Sequence, residues 1–410
     1  MLDLMTGAGS KRDEVNLVVV VPSMSAGGME RCASILLQHF GRKGIRPQLV
    51  TIFDREPFYR IPPDVPVHVL ERYSQPPAYG SLISQFPRHA ARLSNELNWF
   101  EATAYKLALL LQKQQPDVIL SQGFYASLIV LISRHQMPRD IKIIASLHNQ
   151  KSVFLPMSPY AGLYEDFIRH FFNDADSVVT VSRGIAQDGI DNYGLLAEKA
   201  VVIHNPLDLE QIGRLALAPV TEHTCFSEDA PVLLFVGRLT RQKGLDCFLR
   251  AVALARRDIE LRCVLVGDGE LRPELEALAR QLGITQEVVL LGQQTNPFKF
   301  MRRADCLILP SVVEGLPYVI AEAMACGCPI IATDCAPGVR ELLADGARGL
   351  LIPPGDPHAL AEAISRVLRD DRLREKFHRA GIRHAQEFAV DKIVSQYEQL
   401  IKAHAGIITP

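Results

Sequence analysis

Short, largely apolar runs alternate with longer amphipathic stretches along nearly the whole chain. In the first half the apolar runs fall at residues 17–21, 48–53, 67–70, 117–120, 141–146, 177–181 and 200–203. In the second they fall at 232–236, 261–266, 288–291, 306–309 and 328–332. Runs this short, with little polar alternation, predict strands buried on both faces of a parallel sheet, and the stretches between them predict the covering helices. Residues 206–230 carry no strong pattern and read as a linker. The alternation therefore predicts an α/β protein in two units, 16–205 and 231–384, since 410 residues are too many for one hydrophobic core. Residues 1–15 read as a disordered leader.

The ends of the predicted strands carry the candidate chemistry, because open α/β sheets bind ligands at the carboxyl ends of their strands. The first strand runs into PSMSAGGMER, where Gly27 and Gly28 allow a tight turn and Glu30 and Arg31 occupy the first helical turn. The strand at 141–146 leads to His148. After 232–236 comes GRLTRQKG, with Arg238 and Lys243 placed to clamp a diphosphate, the first as a planar fork and the second as a point charge. Gly267 and Gly269 follow the next strand without the third glycine of a dinucleotide fingerprint, and Gln293 follows the one after.

The segment LILPSVVEGLPYVIAEAMACGCPIIATD, residues 307–334, holds the densest signal. Its pattern predicts a strand, a loop, a helix beginning at Leu316 or Pro317 and stopping at Gly327, and another strand. The N–H groups of residues 315–318 would offer a phosphate site, assisted by the helix dipole. Glu314 in the loop and Glu322 in the helix are acceptor-only groups suited to hydroxyls. Diphosphate and hydroxyls together describe a nucleotide sugar.

Glu314 and Glu322, in the setting EGLPYVIAEAMACGCPIIATD, resemble the E-x7-E motif of the retaining glycosyltransferases of family 4, which have the GT-B fold. GRLTRQKG, GGMER, the strand-end His148 and HNPLD match further segments of that family. The resemblance implies two Rossmann-like domains facing a cleft, with a C-terminal helix over about 385–410 packing back onto the first. It implies a nucleotide diphosphate sugar, with UDP the expected nucleotide, as donor, and a glycan or lipid-linked hydroxyl as acceptor for a hexose or N-acetylhexosamine. Arg238, Lys243, Gly28, Gly315 and Leu316 would hold the diphosphate, Glu322 the ribose, and Gln293 and Gly267 the base. Glu314 and His148 would be the catalytic pair at the sugar, and Glu30 and Arg31 acceptor-side candidates. No cofactor and no metal are expected, because no Asp-x-Asp pair stands in a metal-binding setting. Two alternatives share the architecture: a nucleotide-sugar epimerase and a non-catalytic sugar-nucleotide-binding module.

Composition narrows the class. A net charge of −2 gives no basic field for nucleic acid. The eight cysteines show no zinc spacing and fit a reduced cytoplasmic protein. No apolar run reaches membrane-spanning length. Residues 79–115, predicted helical with a break at Pro87, combine Arg88, His89, Arg92 and Lys106 with aromatics. They form a candidate peripheral contact with the inner membrane face.

Overall fold

The computed structural model describes residues 14–25, 27–72, 81–138, 140–221, 224–226 and 230–408. The alternating pattern folds into two parallel sheets. The first comprises β1 (Val15–Val21), β2 (Ile45–Thr51), β3 (Val67–Val69), β4 (Val118–Ser121), β5 (Lys142–Leu147), β6 (Ser177–Thr180) and β7 (Ala200–Val202), ordered β3-β2-β1-β4-β5-β6-β7. The second comprises β8 (Val232–Val236), β9 (Arg262–Val266), β10 (Val288–Gly292), β11 (Cys306–Leu309), β12 (Ile330–Thr333) and β13 (Leu350–Ile352), ordered β10-β9-β8-β11-β12-β13. In each sheet the chain order reverses beside its first strand. That is the switch point at which a crevice opens beyond the strand ends.

The unbroken apolar runs are explained by burial on both faces. Along β1, Val18 and Val20 join one core cluster while Leu17, Val19 and Val21 join the one on the opposite face. Full burial of such a side chain stabilises by roughly 1.5–3 kcal/mol, so a sheet with two apolar faces holds without polar alternation.

Several expectations are corrected. Of the expected leader, residues 1–13 lie outside the described residues, and Val15 already opens β1. The featureless linker contains a helix, Leu209–Ala216, capped where the Asp208 side chain accepts from the Gln211 N–H and burying Ile212 and Ala216 in the second-domain core. The predicted helix after Glu314 is Tyr318–Ala325, because Pro317 has an extended ψ of 113° and caps the helix instead of opening it. Its first N–H groups thus belong to Tyr318 and Val319, beyond the 315–316 stretch.

In the helix Pro87–Gln114, Pro87 opens the element. Arg88 and His89 both pair with Asp166, and Phe86 and Phe100 are core residues, so much of the basic-aromatic patch is spent on packing. Residues 79 and 80 of that predicted stretch lie outside the described residues.

The chain crosses between the domains twice, side by side. Leu207 bridges Ala389 in parallel; its N–H donates to the Phe388 carbonyl and its carbonyl accepts from Val390. Asp371–Ala385 packs on the second domain, and after this crossing Val390–His404 lays Ile393, Val394, Tyr397 and Ile401 into a core cluster of the first.

Candidate active site

The two switch-point crevices open into one cleft of about 1010 Å³. All twelve residues given a donor, catalytic or acceptor role in the sequence reading line it: Gly28, Glu30, Arg31, His148, Arg238, Gly267, Lys243, Gln293, Glu314, Gly315, Leu316 and Glu322. They reach it from the ends of β1 and β5 on one side and of β8, β9, β10 and β11 on the other.

The second-domain wall is built mainly by interlocked turns. Gly237 donates to the Val266 carbonyl at 2.9 Å, and Gly267 donates to the Gly292 carbonyl at 2.8 Å, so the turns after β8, β9 and β10 brace one another. Gly267 has φ 137°, and a Cβ there would stand 1.9 Å from the Gly237 carbonyl oxygen. Only glycine fits both constraints. From these turns Arg238 projects exposed into the cleft, and Lys243 closes a short 3-10 turn, Arg241–Lys243, ahead of the helix Leu245–Ala255.

Glu314 is 7% exposed, and its Oε1 accepts from Lys243 Nζ at 2.5 Å and from Ser311 Oγ at 2.7 Å. Both contacts fall on one oxygen, which leaves Oε2 for a ligand. Glu322 is equally enclosed, at 5%, and its partner comes from the other domain: Arg31 forms an ion pair with it. The Arg31 guanidinium lies against the rings of Phe298 and Tyr318, 5.3 and 5.6 Å from their centroids. Arg31, an acceptor-side candidate in the sequence reading, thus stands beside Glu322, the candidate for the ribose.

Two backbone contacts join the walls. A Cβ on Gly315 would stand 2.5 Å from the His148 carbonyl oxygen, and one on Gly28 would stand 2.9 Å from the Tyr318 ring. Both glycines therefore serve domain contact as well as the cleft.

On the first-domain wall, His148 Nε2 lies 3.1 Å from Ser146 Oγ. Burial, reinforced by the nearby Lys151 cation, holds its imidazolium at about 3, so the ring is neutral near pH 7. Glu30 titrates above the ordinary carboxylate range, mainly through burial, although its own backbone hydrogen bond and Arg238 pull the other way.

Several cleft residues escaped the sequence reading. Lys151, three residues beyond His148, is 4% exposed. Asn205 in the first crossing is buried with its Oδ1 unpartnered. Phe124 and Tyr125 line the cleft from the start of the helix Phe124–Ser133. The one available signal was position, since each follows or adjoins a predicted strand end. Among the described residues no three His, Cys, Asp or Glu side chains group as metal ligands, and the seven described cysteines are unpaired, six of them buried.

Comparison with known proteins agrees with this geometry. Residues 26–211 match the Glycosyltransferase Family 4 pattern, and 222–384 match Glycosyl transferases group 1. The chain is similar to the N-acetylgalactosamine-N,N'-diacetylbacillosaminyl-diphospho-undecaprenol 4-alpha-N-acetylgalactosaminyltransferase of Campylobacter jejuni, with 28% identity over 92% of this chain and 96% of that one. It shares 30% identity with an uncharacterised glycosyltransferase of Methanocaldococcus jannaschii, over 64% of this chain and 69% of the other. In fold it resembles Anabaena HepE in complex with UDP and glucose, with a TM-score of 0.73 and 21% identity, covering 95% of this chain and 100% of that one. Two parallel sheets, a shared cleft and both glutamates of E-x7-E facing into it leave one conclusion: the chain belongs to glycosyltransferase family 4 and is a glycosyltransferase of the GT-B fold.

Proposed function

We propose that the cleft takes UDP-N-acetylhexosamine, or a UDP-hexose, and transfers the sugar with retention to a hydroxyl of a lipid-linked glycan. The observation that carries this reading is the Lys243–Glu314 pair. One Glu314 oxygen anchors the Lys243 ammonium and leaves its other two protons for a diphosphate, while the second oxygen meets the sugar. Phosphate and sugar then share a boundary at the bond to be broken. The Campylobacter relative, whose name specifies an N-acetylgalactosamine donor group and a diphospho-undecaprenol acceptor, supports the sugar and acceptor classes. The UDP bound by Anabaena HepE, a neighbour in fold, supports the nucleotide.

In this mechanism Arg238 and Lys243 stabilise the charge that develops on the leaving UDP, helped by the N–H groups of Gly315 and Leu316 and the Tyr318–Ala325 dipole. Gly28 closes over the phosphates. Glu322 accepts from the ribose hydroxyls once Arg31 yields it, and the backbone at Gly267 and Gln293 meets the base. Neutral His148 donates to a sugar hydroxyl near the anomeric carbon. The acceptor hydroxyl attacks on the face the diphosphate leaves, and a leaving phosphate oxygen takes its proton. With two side-chain cations on the diphosphate, the reaction proceeds without a divalent metal. The enzyme works in the cytoplasm at the inner membrane face, where a lipid-linked acceptor presents its glycan. No helix among the described residues is long and apolar enough to cross a membrane.

The test is a thermal-shift screen of UDP-, GDP- and dTDP-sugars, followed by transfer assays in EDTA. A ligand that binds only the folded chain raises its apparent stability. The largest shift is expected with a UDP-sugar, with full turnover in EDTA. A larger shift with GDP-sugars refutes the nucleotide, and turnover restored by magnesium refutes the metal-free mechanism.

A further inference from the structure

Lys151 has no part in the donor site described above, yet it is the most enclosed cation lining the cleft. It opens the short helix Lys151–Phe154 beyond β5. Its Nζ meets a single hydrogen-bond acceptor, Asn149 Oδ1, at 2.5 Å, and stands 4.2 Å from the centroid of the Phe124 ring. Asp188, the carboxylate whose charge acts on Lys151, is occupied by backbone N–H groups of Lys151 and Ser152 and by the Asn192 amide, and among the described residues no ion pair joins it to Nζ. An ammonium has three protons to donate. Burial pulls this ammonium down to about 7 against the attraction of Asp188, and with one donor spent here the rest are left for a ligand in whichever form the group takes.

The position of these donors limits what fills them. Asn149, which holds Lys151, also abuts the donor loop: a Cβ on Gly315 would lie 3.2 Å from the Asn149 Cα. The first-sheet crevice thus begins where the proposed sugar-phosphate position ends, which is where an acceptor hydroxyl has to arrive. Phe124 lies on one side of Lys151, and the 40% exposed Tyr125 follows it. Tyr125 is steadied by a hydroxyl contact to Tyr164 at 3.3 Å. Anion sites gather several cations, as Arg238 and Lys243 do across the cleft, whereas this crevice pairs one ammonium with aromatic faces.

We propose that Lys151, Phe124 and Tyr125 form the acceptor subsite, which binds the terminal sugar of an uncharged glycan. Its ring lies against the two aromatic side chains, and its hydroxyl or amide oxygens accept from the Lys151 ammonium. This assignment rests on the transferase reading given above.

The probe is p-nitrophenyl α-N-acetylgalactosaminide as acceptor with UDP-N-acetylgalactosamine as donor. Lys151→Met keeps the stem and removes the donors, whereas Lys151→Gln keeps N–H donors without charge; both are first checked for an unchanged melting temperature. Lys151→Met is expected to raise acceptor KM about tenfold or more, with UDP affinity and acceptor-free donor hydrolysis within about twofold of wild type. Lys151→Gln is expected to recover most of the loss. Phe124→Leu serves as the second variant where Lys151→Met does not fold, with the same signature. Saturation-transfer NMR of the glycan without donor reads the subsite independently, so a wild type inert toward UDP-sugars refutes the donor reading and leaves this measurement standing. UDP affinity that falls in step with acceptor affinity would place Lys151 on the donor diphosphate and overturn the subsite. Glutamine as damaging as methionine would make the acceptor group anionic and overturn the uncharged glycan. Unchanged KM and NMR signal in both variants would overturn it altogether.

Discussion

The two walls of the cleft are built on different principles. The second-domain wall is largely backbone: the turns after β8, β9 and β10 hydrogen-bond to one another through Gly237, Gly267 and Gly292. The first-domain wall is largely side chain: Phe124, Tyr125, Lys151 and Phe154 stand on short helices and meet through rings and single hydrogen bonds. A backbone-built wall is shaped before any ligand arrives and presents N–H groups and cations at fixed places, as a diphosphate requires. A side-chain-built wall can change its ligand by changing one residue. One architecture can therefore keep a donor class while its acceptors differ.

The largest expected effect lies at the interlock. Gly267→Ala combines a φ of 137° with a Cβ 1.9 Å from the Gly237 carbonyl oxygen. Strain and overpacking together predict a loss of about 2–6 kcal/mol of stability, read by urea denaturation. Phe124→Leu on the opposite wall should cost far less. Equal losses at the two sites would erase the distinction between the walls.

Next is Lys243→Ala. It removes a cation from the proposed diphosphate site and strips the enclosed Glu314 of its ion partner. UDP affinity should fall by about 2–5 kcal/mol, with uridine almost unaffected. Calorimetry with both ligands decides it, and an equal loss for uridine would move Lys243 off the phosphates.

These differences also govern what could be read in advance. The strands were legible because buried parallel strands are unbroken apolar runs; those at 232–236 and 306–309 have the same limits in the fold. The second-domain cleft residues were legible because turn-built walls leave fixed spacings, such as GRLTRQKG and the two glutamates with seven residues between them. Lys151 was not, since a buried lysine in a short helix looks like any surface lysine until Phe124, distant in sequence, packs beside it. The Arg31–Glu322 pair was hidden for the same reason, its partners standing on different domains. Pro317 misled by residue type alone: it suits a first helical position, but its backbone is extended and the helix begins one residue later.

A smaller effect separates the walls by pH. The folded pKa of His148, about 3, lies below its ordinary value of 6.5. Between these values the unfolded chain binds a proton that the folded chain does not, so stability falls as pH drops from 6.5 toward 3. From pH 6.5 to 5 the wild type should lose about 1.6 kcal/mol more than His148→Gln, because other titrations cancel in the difference. Denaturation at the two pH values tests this, and identical losses would mean that the imidazole is not held neutral.

The smallest expected effect probes the seam between the walls. Arg31 pairs with Glu322, the carboxylate proposed for the ribose. If ribose and guanidinium compete, the pair is a cost that every nucleoside must meet on binding. An ion pair this enclosed has much of its attraction offset by the desolvation of both groups, so its net contribution is small. Arg31→Ala should therefore tighten uridine binding by about two- to fivefold. Uridine lacks phosphates, so any contact between Arg31 and the diphosphate is kept out of the measurement. Glu322→Gln should weaken uridine, and adding Arg31→Ala to it should change nothing further, because the competition has already been removed. Weaker uridine binding in Arg31→Ala alone would show instead that the guanidinium, parked against Phe298 and Tyr318, holds the nucleoside itself. The seam would then belong to the donor site from both sides.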